Sequence, residues 1–241
     1  MRELERDGYV NVRDLGGLPT SLSPTGSTIR GRIARGPRRE LLTDMGWADA
    51  RAWGLTTVVD LRCEHEIGRR EEDPSVAADG ADGLTLLNTP TEDQDNAEFR
   101  EVCFPILDSP EYWQHNWRIL PDLVRRTLRS IASAPAGVLV HCSAGRDRTG
   151  MISALLLGNA GVAPDRVAED YAESVKVMAG ALSNTPTHDR QASWDAAQVS
   201  EWIDQTAPIV EDLAADTDRI FDSLGLTQDD RDRLRNALTQ P

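Results

Sequence analysis

The ten residues His141-Cys142-Ser143-Ala144-Gly145-Arg146-Asp147-Arg148-Thr149-Gly150 put a nucleophile, a run of backbone amides and two guanidinium groups into one short stretch. Cysteine attacks as its thiolate, and a free cysteine near neutral pH is mostly thiol. The apolar run Gly137-Val138-Leu139-Val140 before the stretch reads as a buried strand. Met151-Ile152-Ser153-Ala154-Leu155-Leu156-Leu157 after it reads as a buried helix. The loop therefore lies at a strand-to-helix junction, where a helix N-terminus offers unpaired N–H groups and the positive end of its dipole to an anion. These groups and Arg148 favour a thiolate at Cys142. The amides of Ser143 to Arg148 form a nest that suits a phosphate, whose oxygens match N–H donors and a guanidinium fork. Gly145 lets the backbone turn where a side chain would clash, and Thr149 is spaced to donate its hydroxyl to the sulfur.

Cys142, five intervening residues and Arg148, with His141 before and Thr149-Gly150 after, resemble the signature loop of the protein tyrosine phosphatase superfamily. Asn11-Val12-Arg13-Asp14-Leu15-Gly16-Gly17, then Val58-Val59-Asp60-Leu61-Arg62 with Glu66 following, resemble a bacterial branch of broad specificity. The order of blocks agrees, and Ala168-Glu169-Asp170-Tyr171 follows the loop helix as it does in that branch. The resemblance covers most of the chain and is loose at residues 72–110 and 178–200. It implies that Cys142 attacks phosphorus to form a phosphocysteine, that Arg148 holds two phosphoryl oxygens, and that Ser143, Ala144, Gly145, Arg146 and Thr149 line the phosphate. His141, Arg13, Asp14, Asp60 and Arg62 are implied as supporting residues. Such transfers rest on positioning and charge stabilisation, and water completes the cycle without a metal or other cofactor. Substrates of the branch are phosphotyrosine and, for some members, phosphoserine, phosphothreonine or phosphoinositides.

The general acid is less determined. Many superfamily members carry it on a separate loop; in the bacterial branch the aspartate before the arginine is a candidate, here Asp147. Asp147 equally suits the first turn of a helix, where a carboxylate meets the dipole. Asp60, Asp93, Asp95 and Asp108 stay open as alternatives. The branch usually has lysine where this chain has Arg146. A planar fork in place of a point charge narrows the pocket mouth or grips a second anionic group, unless it only preserves charge in a chain whose sole lysine is Lys176. Arg62 is expected to brace Asp147 or the loop backbone, with a structural ion pair and a direct substrate contact both open, and Arg13 and Asp14 to brace the loop.

The elements around the loop follow from periodicity. Residues 40–53 repeat apolar positions at helical spacing and stop at Gly54. Thr56 to Leu61 is a β-branched run that reads as a strand, and Leu84 to Leu87 reads as a shorter one. Tyr112 to Ala134 reads as a long helix kinked at Pro121. It presents Trp113, Trp117, Leu120, Leu123, Val124, Leu128 and Ile131 to a core. The punctuation around Ile29 to Ala34 suits a short strand pair or an extended arm. From Pro164 the pattern is helical: Asp165 to Met178, Trp194 to Leu213, and Thr227 to Leu238 behind an N-cap signal. Strands alternating with helices imply an α/β fold with a mostly parallel sheet flanked by helices and a helical C-terminal region. Ligands in such folds lie beyond the carboxyl ends of the strands. Asn184 to Arg190 reads as a mobile loop, and residues 178–215 as a helical lid with Trp194 and Trp202 on its underside.

The chain has 241 residues, 39% hydrophobic and 5% aromatic, so one phosphatase domain over 1–241 with a largely aliphatic core is expected. A net charge of −14 disfavours nucleic acid and anionic membrane as partners. The clusters Arg30, Arg32, Arg35, Arg38, Arg39 and Arg125, Arg126, Arg129 are local exceptions. No stretch is long enough to span a bilayer, and Met1 to Asp7 lacks the apolar core of a signal peptide. The odd, spaced cysteines Cys63, Cys103 and Cys142 suit a reducing cytoplasm. Cys63 is either a small buried residue or a partner able to protect Cys142 as a disulfide. The expected substrate is a phosphorylated protein or a small phosphorylated metabolite; oligomeric state is open. A phosphate-binding module without turnover and an arsenate-reducing or sulfur-transfer enzyme are the alternatives.

Overall fold

The computed structural model describes residue 4 and residues 7–77, 80–180 and 190–240. The signal-peptide reading of Met1 to Asp7 and the loop reading of Asn184 to Arg190 fall for the most part outside the described residues. Five strands form one sheet: β1 (Arg13–Asp14), β2 (Ile33–Gly36), β3 (Thr57–Asp60), β4 (Thr85–Asn88) and β5 (Val138–His141). Their order is β1-β2-β5-β3-β4. β1 runs antiparallel to β2; every other pair is parallel. The central strands are fully buried, which is why β5 reads Val-Leu-Val without alternation. The edge strand β4 is mostly exposed.

The register sets the site. Gly36 pairs with His141, His141 with Asp60, and Asp60 with Asn88, so four strands end on one line. Cys142 is the next residue beyond that line. The helices are α1 (Asp44–Trp53), α2 (Ala97–Cys103), α3 (Glu111–Ile119), α4 (Pro121–Ser133), α5 (Asp147–Asn159), α6 (Pro164–Met178), α7 (Ala196–Ala215), α8 (Thr217–Ser223) and α9 (Gln228–Thr239); α4 and α5 pack on the sheet, and α7 and α8 pack on α5. Among the described residues, no helix is long and apolar enough to cross a membrane.

The long helix expected over 112–134 is two helices. Pro121 has no N–H to continue the ladder and opens α4, while Leu120 leaves helical geometry at φ −123° and ψ 49°. The apolar side chains expected on it do join the core: Trp113, Val124 and Leu128 are fully buried there. Each such burial contributes about 1.5–3 kcal/mol. Gly54 caps α1 at φ 103°, and Thr227 caps α9 with a reciprocal box to Asp230. Periodicity did not reveal α2, which is short, or α8, which follows α7 after a single residue. Pro208 lies inside α7 without ending it.

Candidate active site

Loop 142–146 passes directly from β5 into α5, and the helix is buried along nearly its whole length. Gly145 adopts φ 74°, and a Cβ there would lie 2.6 Å from the Gly36 carbonyl. Only glycine lets the loop press against the end of β2 in this conformation. The backbone N–H groups of Ser143, Ala144 and Gly145 donate no hydrogen bond within the described protein. Together with the start of α5 they are donors available to an anion beside Cys142.

The loop is braced from outside by its carbonyls. Asn11, itself at φ 58°, donates from Nδ2 to the Ala144 carbonyl at 3.0 Å. Asparagine tolerates the left-handed region better than most residues. Arg35 Nη2 donates to the Gly145 carbonyl at 2.7 Å, and the Arg38 amide donates to the Ser143 carbonyl at 2.9 Å. Arg35 is completely buried; burial and the like charge of Arg13 pull its pKa down to about 10, against the attraction of Asp170. Asp170 on α6 pairs with both Arg13 and Arg35, and Ser174 accepts from both. Arg13 thus braces the loop through Asn11 and Asp170. Asp14 accepts from the amides of Gly16 and Gly31 and from the Trp53 indole, and so fixes the N-terminal turn.

Arg148 lies on the first turn of α5. Its two terminal nitrogens donate to the two oxygens of Glu66 at 2.6 and 2.8 Å, and Nη1 lies 3.6 Å from Glu92. Burial opposes its charge, but Glu92 and Glu66 more than compensate and raise its pKa well above normal. Burial likewise pushes Glu66 up, and the Arg148 pair outweighs it, so Glu66 stays below the ordinary carboxylate range. Cys142 is 3% exposed. The Thr149 hydroxyl, expected on the sulfur, is buried without a hydrogen-bond partner.

Several expectations change at this level. Arg62 does not brace Asp147 or the loop. It donates twice to Asp60 and once to Glu40, because Asp60, two residues before it, is within easier reach. Asp60 is therefore held: burial raises it, but His141 and Arg62 outweigh that and keep it ionised below its usual range. His141 Nδ1 donates to the Cys142 carbonyl at 3.0 Å. Burial dominates its titration and lowers its pKa despite Asp60. Arg146 does not stand at the pocket mouth: it is 1% exposed, and its Nε contacts both Asp147 oxygens at 3.1 Å. Asp108 binds Arg190 through its side chain and backbone amide, and Asp93 and Asp95 are exposed.

Cys63, Cys103 and Cys142 are free thiols. Cys63 donates to the Glu92 carbonyl, and burial with Glu92 and Glu66 pushes it up to about 12. Arg35, Asp170 and Glu92 have no signal in spacing alone. Arg35 read only as one of a basic cluster, although its place at the end of a strand beside the cysteine strand singles it out.

The profile of the tyrosine phosphatase family matches residues 4–240. The triple specificity protein phosphatase PtpB of Mycobacterium tuberculosis is 32% identical over 194 residues, 70% of this chain and 68% of the relative. A tyrosine-protein phosphatase of Nostoc commune is 30% identical over 159 residues, 65% of this chain and 52% of the relative. A putative tyrosine-protein phosphatase of Cupriavidus necator is 30% identical over 182 residues, 71% of this chain and 63% of the relative.

Proposed function

The chain belongs to the tyrosine phosphatase family, and we propose that it hydrolyses phosphomonoesters through a phosphocysteine on Cys142. One observation carries this reading: Cys142 follows the central strand directly and faces the start of α5, with unpaired loop amides and a charged Arg148 beside it. In the first step the sulfur attacks phosphorus and the S–P bond forms as the P–O bond breaks. Arg148, oriented by Glu66, and the amides of Ser143, Ala144 and Gly145 hold the phosphoryl oxygens as charge spreads over them. In the second step water displaces the thiolate. Asp147, paired with Arg146, is the carboxylate at the rim of the loop and serves proton transfer. Arg146 positions it and does not bind a second phosphate. Thr149 turns its free hydroxyl to the sulfur or the phosphate in the loaded state.

The substrate is a phosphorylated protein or a small phosphorylated molecule. Phosphotyrosine is the first choice, since the relatives are named for tyrosine or protein phosphatase activity. The net charge of −14 weighs against nucleic acid and anionic membrane surfaces. Three free cysteines support a reducing, cytoplasmic setting. Residues 4–240, the span of the family match, are read as one phosphatase domain. Within 178–215 the lid role rests on Trp194 and Trp202, packed edge to face at 5.0 Å, and on Arg190, which stacks on Trp202 and pairs with Asp108. Proteolysis with and without vanadate tests it: protection between residues 183 and 200 is expected, and unchanged cleavage contradicts it.

The purified protein, in chelator, is offered p-nitrophenyl phosphate, phosphotyrosine peptide, inositol phosphates and nucleotides. Turnover of at least one ester is expected, abolished in Cys142→Ser while inorganic phosphate still binds. Full activity in that variant overturns the reading.

A further inference from the structure

The carboxylates around the loop differ in how they are tied. Asp60 has Arg62 and Arg39, Asp147 has Arg146, Asp108 has Arg190, and Glu66 has Arg148. Glu92 has only a looser pair. It is 5% exposed, its nearest cation is Arg148 Nη1 at 3.6 Å, and its one side-chain hydrogen bond is a long contact of 3.5 Å from Gln94 Nε2. The two hydrogen bonds of the neighbouring guanidinium edge go to Glu66.

The backbone that carries Glu92 is nevertheless fixed. It leaves β4 at the same end of the sheet as Cys142. The Thr89 amide donates to the Asp60 carbonyl, and the Thr91 amide to the Leu61 carbonyl. Asn116 donates to the Thr91 carbonyl and Cys63 to the Glu92 carbonyl. An anchored backbone with a buried carboxyl that receives no hydrogen bond from the phosphate-gripping arginine beside it is the arrangement a proton donor needs.

We propose that Glu92 is the acid that protonates the leaving-group oxygen, and that Asp147 is the base for the water of the second step. This rests on the phosphatase reading above. Glu92 gives its proton to the ester oxygen as the P–O bond breaks and the S–P bond forms. Asp147 takes a proton from water as the P–O bond to water forms and the S–P bond breaks. Glu92 is reprotonated from solvent and Asp147 releases its proton there, so the cycle closes. The electrostatics agree: burial raises the Glu92 pKa, Glu66 and Asp147 raise it further, and Arg148 opposes. The other groups around it are Tyr112, Cys63 and Cys103. Each has its own pKa raised and stays neutral, so they add no charge that would hold Glu92 ionised.

The test compares phenyl phosphate, whose leaving group needs a proton, with p-nitrophenyl phosphate, whose leaving group hardly does. Glu92→Gln keeps the shape and removes the proton. It is expected to lower kcat/KM for phenyl phosphate about 10²-fold and for p-nitrophenyl phosphate only about threefold. It is also expected to abolish the basic limb of the wild-type pH profile and to leave the affinity for inorganic phosphate unchanged. Asp147→Asn is expected to keep a burst of p-nitrophenol and slow the steady state. Equal loss on both esters in Glu92→Gln, or no loss on either, overturns the proposal while leaving the phosphatase reading intact. A leaving-group-dependent loss in Asp147→Asn and not in Glu92→Gln reverses the two roles and also overturns it. Wild-type protein that turns over neither ester removes the phosphatase reading itself.

Discussion

Behind the phosphate loop, Arg13 and Arg35 share Asp170; in front of it, Glu66 and Glu92 share Arg148. The first cluster has an excess of cation, and Asp170 and Ser174 meet both guanidinium groups. It can only be charged, and it holds the loop still. The second cluster has an excess of carboxylate around a single cation. Glu66 takes both hydrogen bonds and is ionised; Glu92 takes neither and retains its proton more readily. Two sites built from the same residue types therefore do different work, because the ratio of partners decides whether a proton is left over.

The comparison breaks most visibly in the rear cluster. Asp170→Asn leaves two buried arginines sharing no carboxylate. A stability loss of about 3–5 kcal/mol is expected by urea denaturation, and a loss below about 1 kcal/mol would show that the cluster is not a brace. In the front cluster, Arg148→Lys replaces a fork by a point charge and is expected to lower kcat about 10²–10³-fold with the fold retained. Unchanged kcat would remove Arg148 from the transition state.

Glu66→Gln sharpens the contrast. It releases the guanidinium from one orientation and is expected to cost about 10- to 100-fold in kcat/KM. It also removes a negative neighbour of Glu92, so the basic limb of the pH profile should move to lower pH. A limb that stays in place would show that the group titrating there is not Glu92.

The smallest effect is on stability against pH. Asp60, Glu40 and Glu66 titrate below their ordinary values in the folded chain, because burial is outweighed by Arg62, His141 or Arg148. Their contribution is full above the unfolded carboxylate range near pH 4 and is lost as pH falls through the lower, folded values. His141 adds to this from a higher pH: its folded pKa is lowered, so the unfolded state takes up a proton first, from about pH 6.5 downward. Glu92 has the opposite sign. Its raised pKa contributes stability at low pH that is lost as pH rises, so Glu92→Gln should have a higher Tm than wild type at neutral pH. A lower Tm would mean that Glu92 is ionised and paired in the fold.

Much of this was legible in the chain. A buried strand, a cysteine, a glycine-bearing loop and an apolar helix in one run of residues define the strand-to-helix junction. β-Branched and apolar runs also located the flanking strands at residues 57–60 and 85–88. The bracing role of Arg13 followed from its block. What stayed hidden depends on distant pairing. Nothing in spacing says that Arg35 and Asp170, 135 residues apart, share an ion pair. Nor does it say that Arg62 prefers its neighbour Asp60 to the loop, or that Arg146 turns inward onto Asp147. The resemblance points to aspartates as proton donors and carries no signal for a glutamate. The glutamate that lacks a short ionic partner is visible only once every arginine has been assigned.

The most direct test is to quench a single turnover of p-nitrophenyl phosphate in acid and map the phosphoryl group by peptide mass spectrometry. One phosphoryl group on the peptide containing Cys142, absent in Cys142→Ser, is the predicted result. Turnover with an unmodified Cys142, or with the phosphoryl group on another residue, would contradict it.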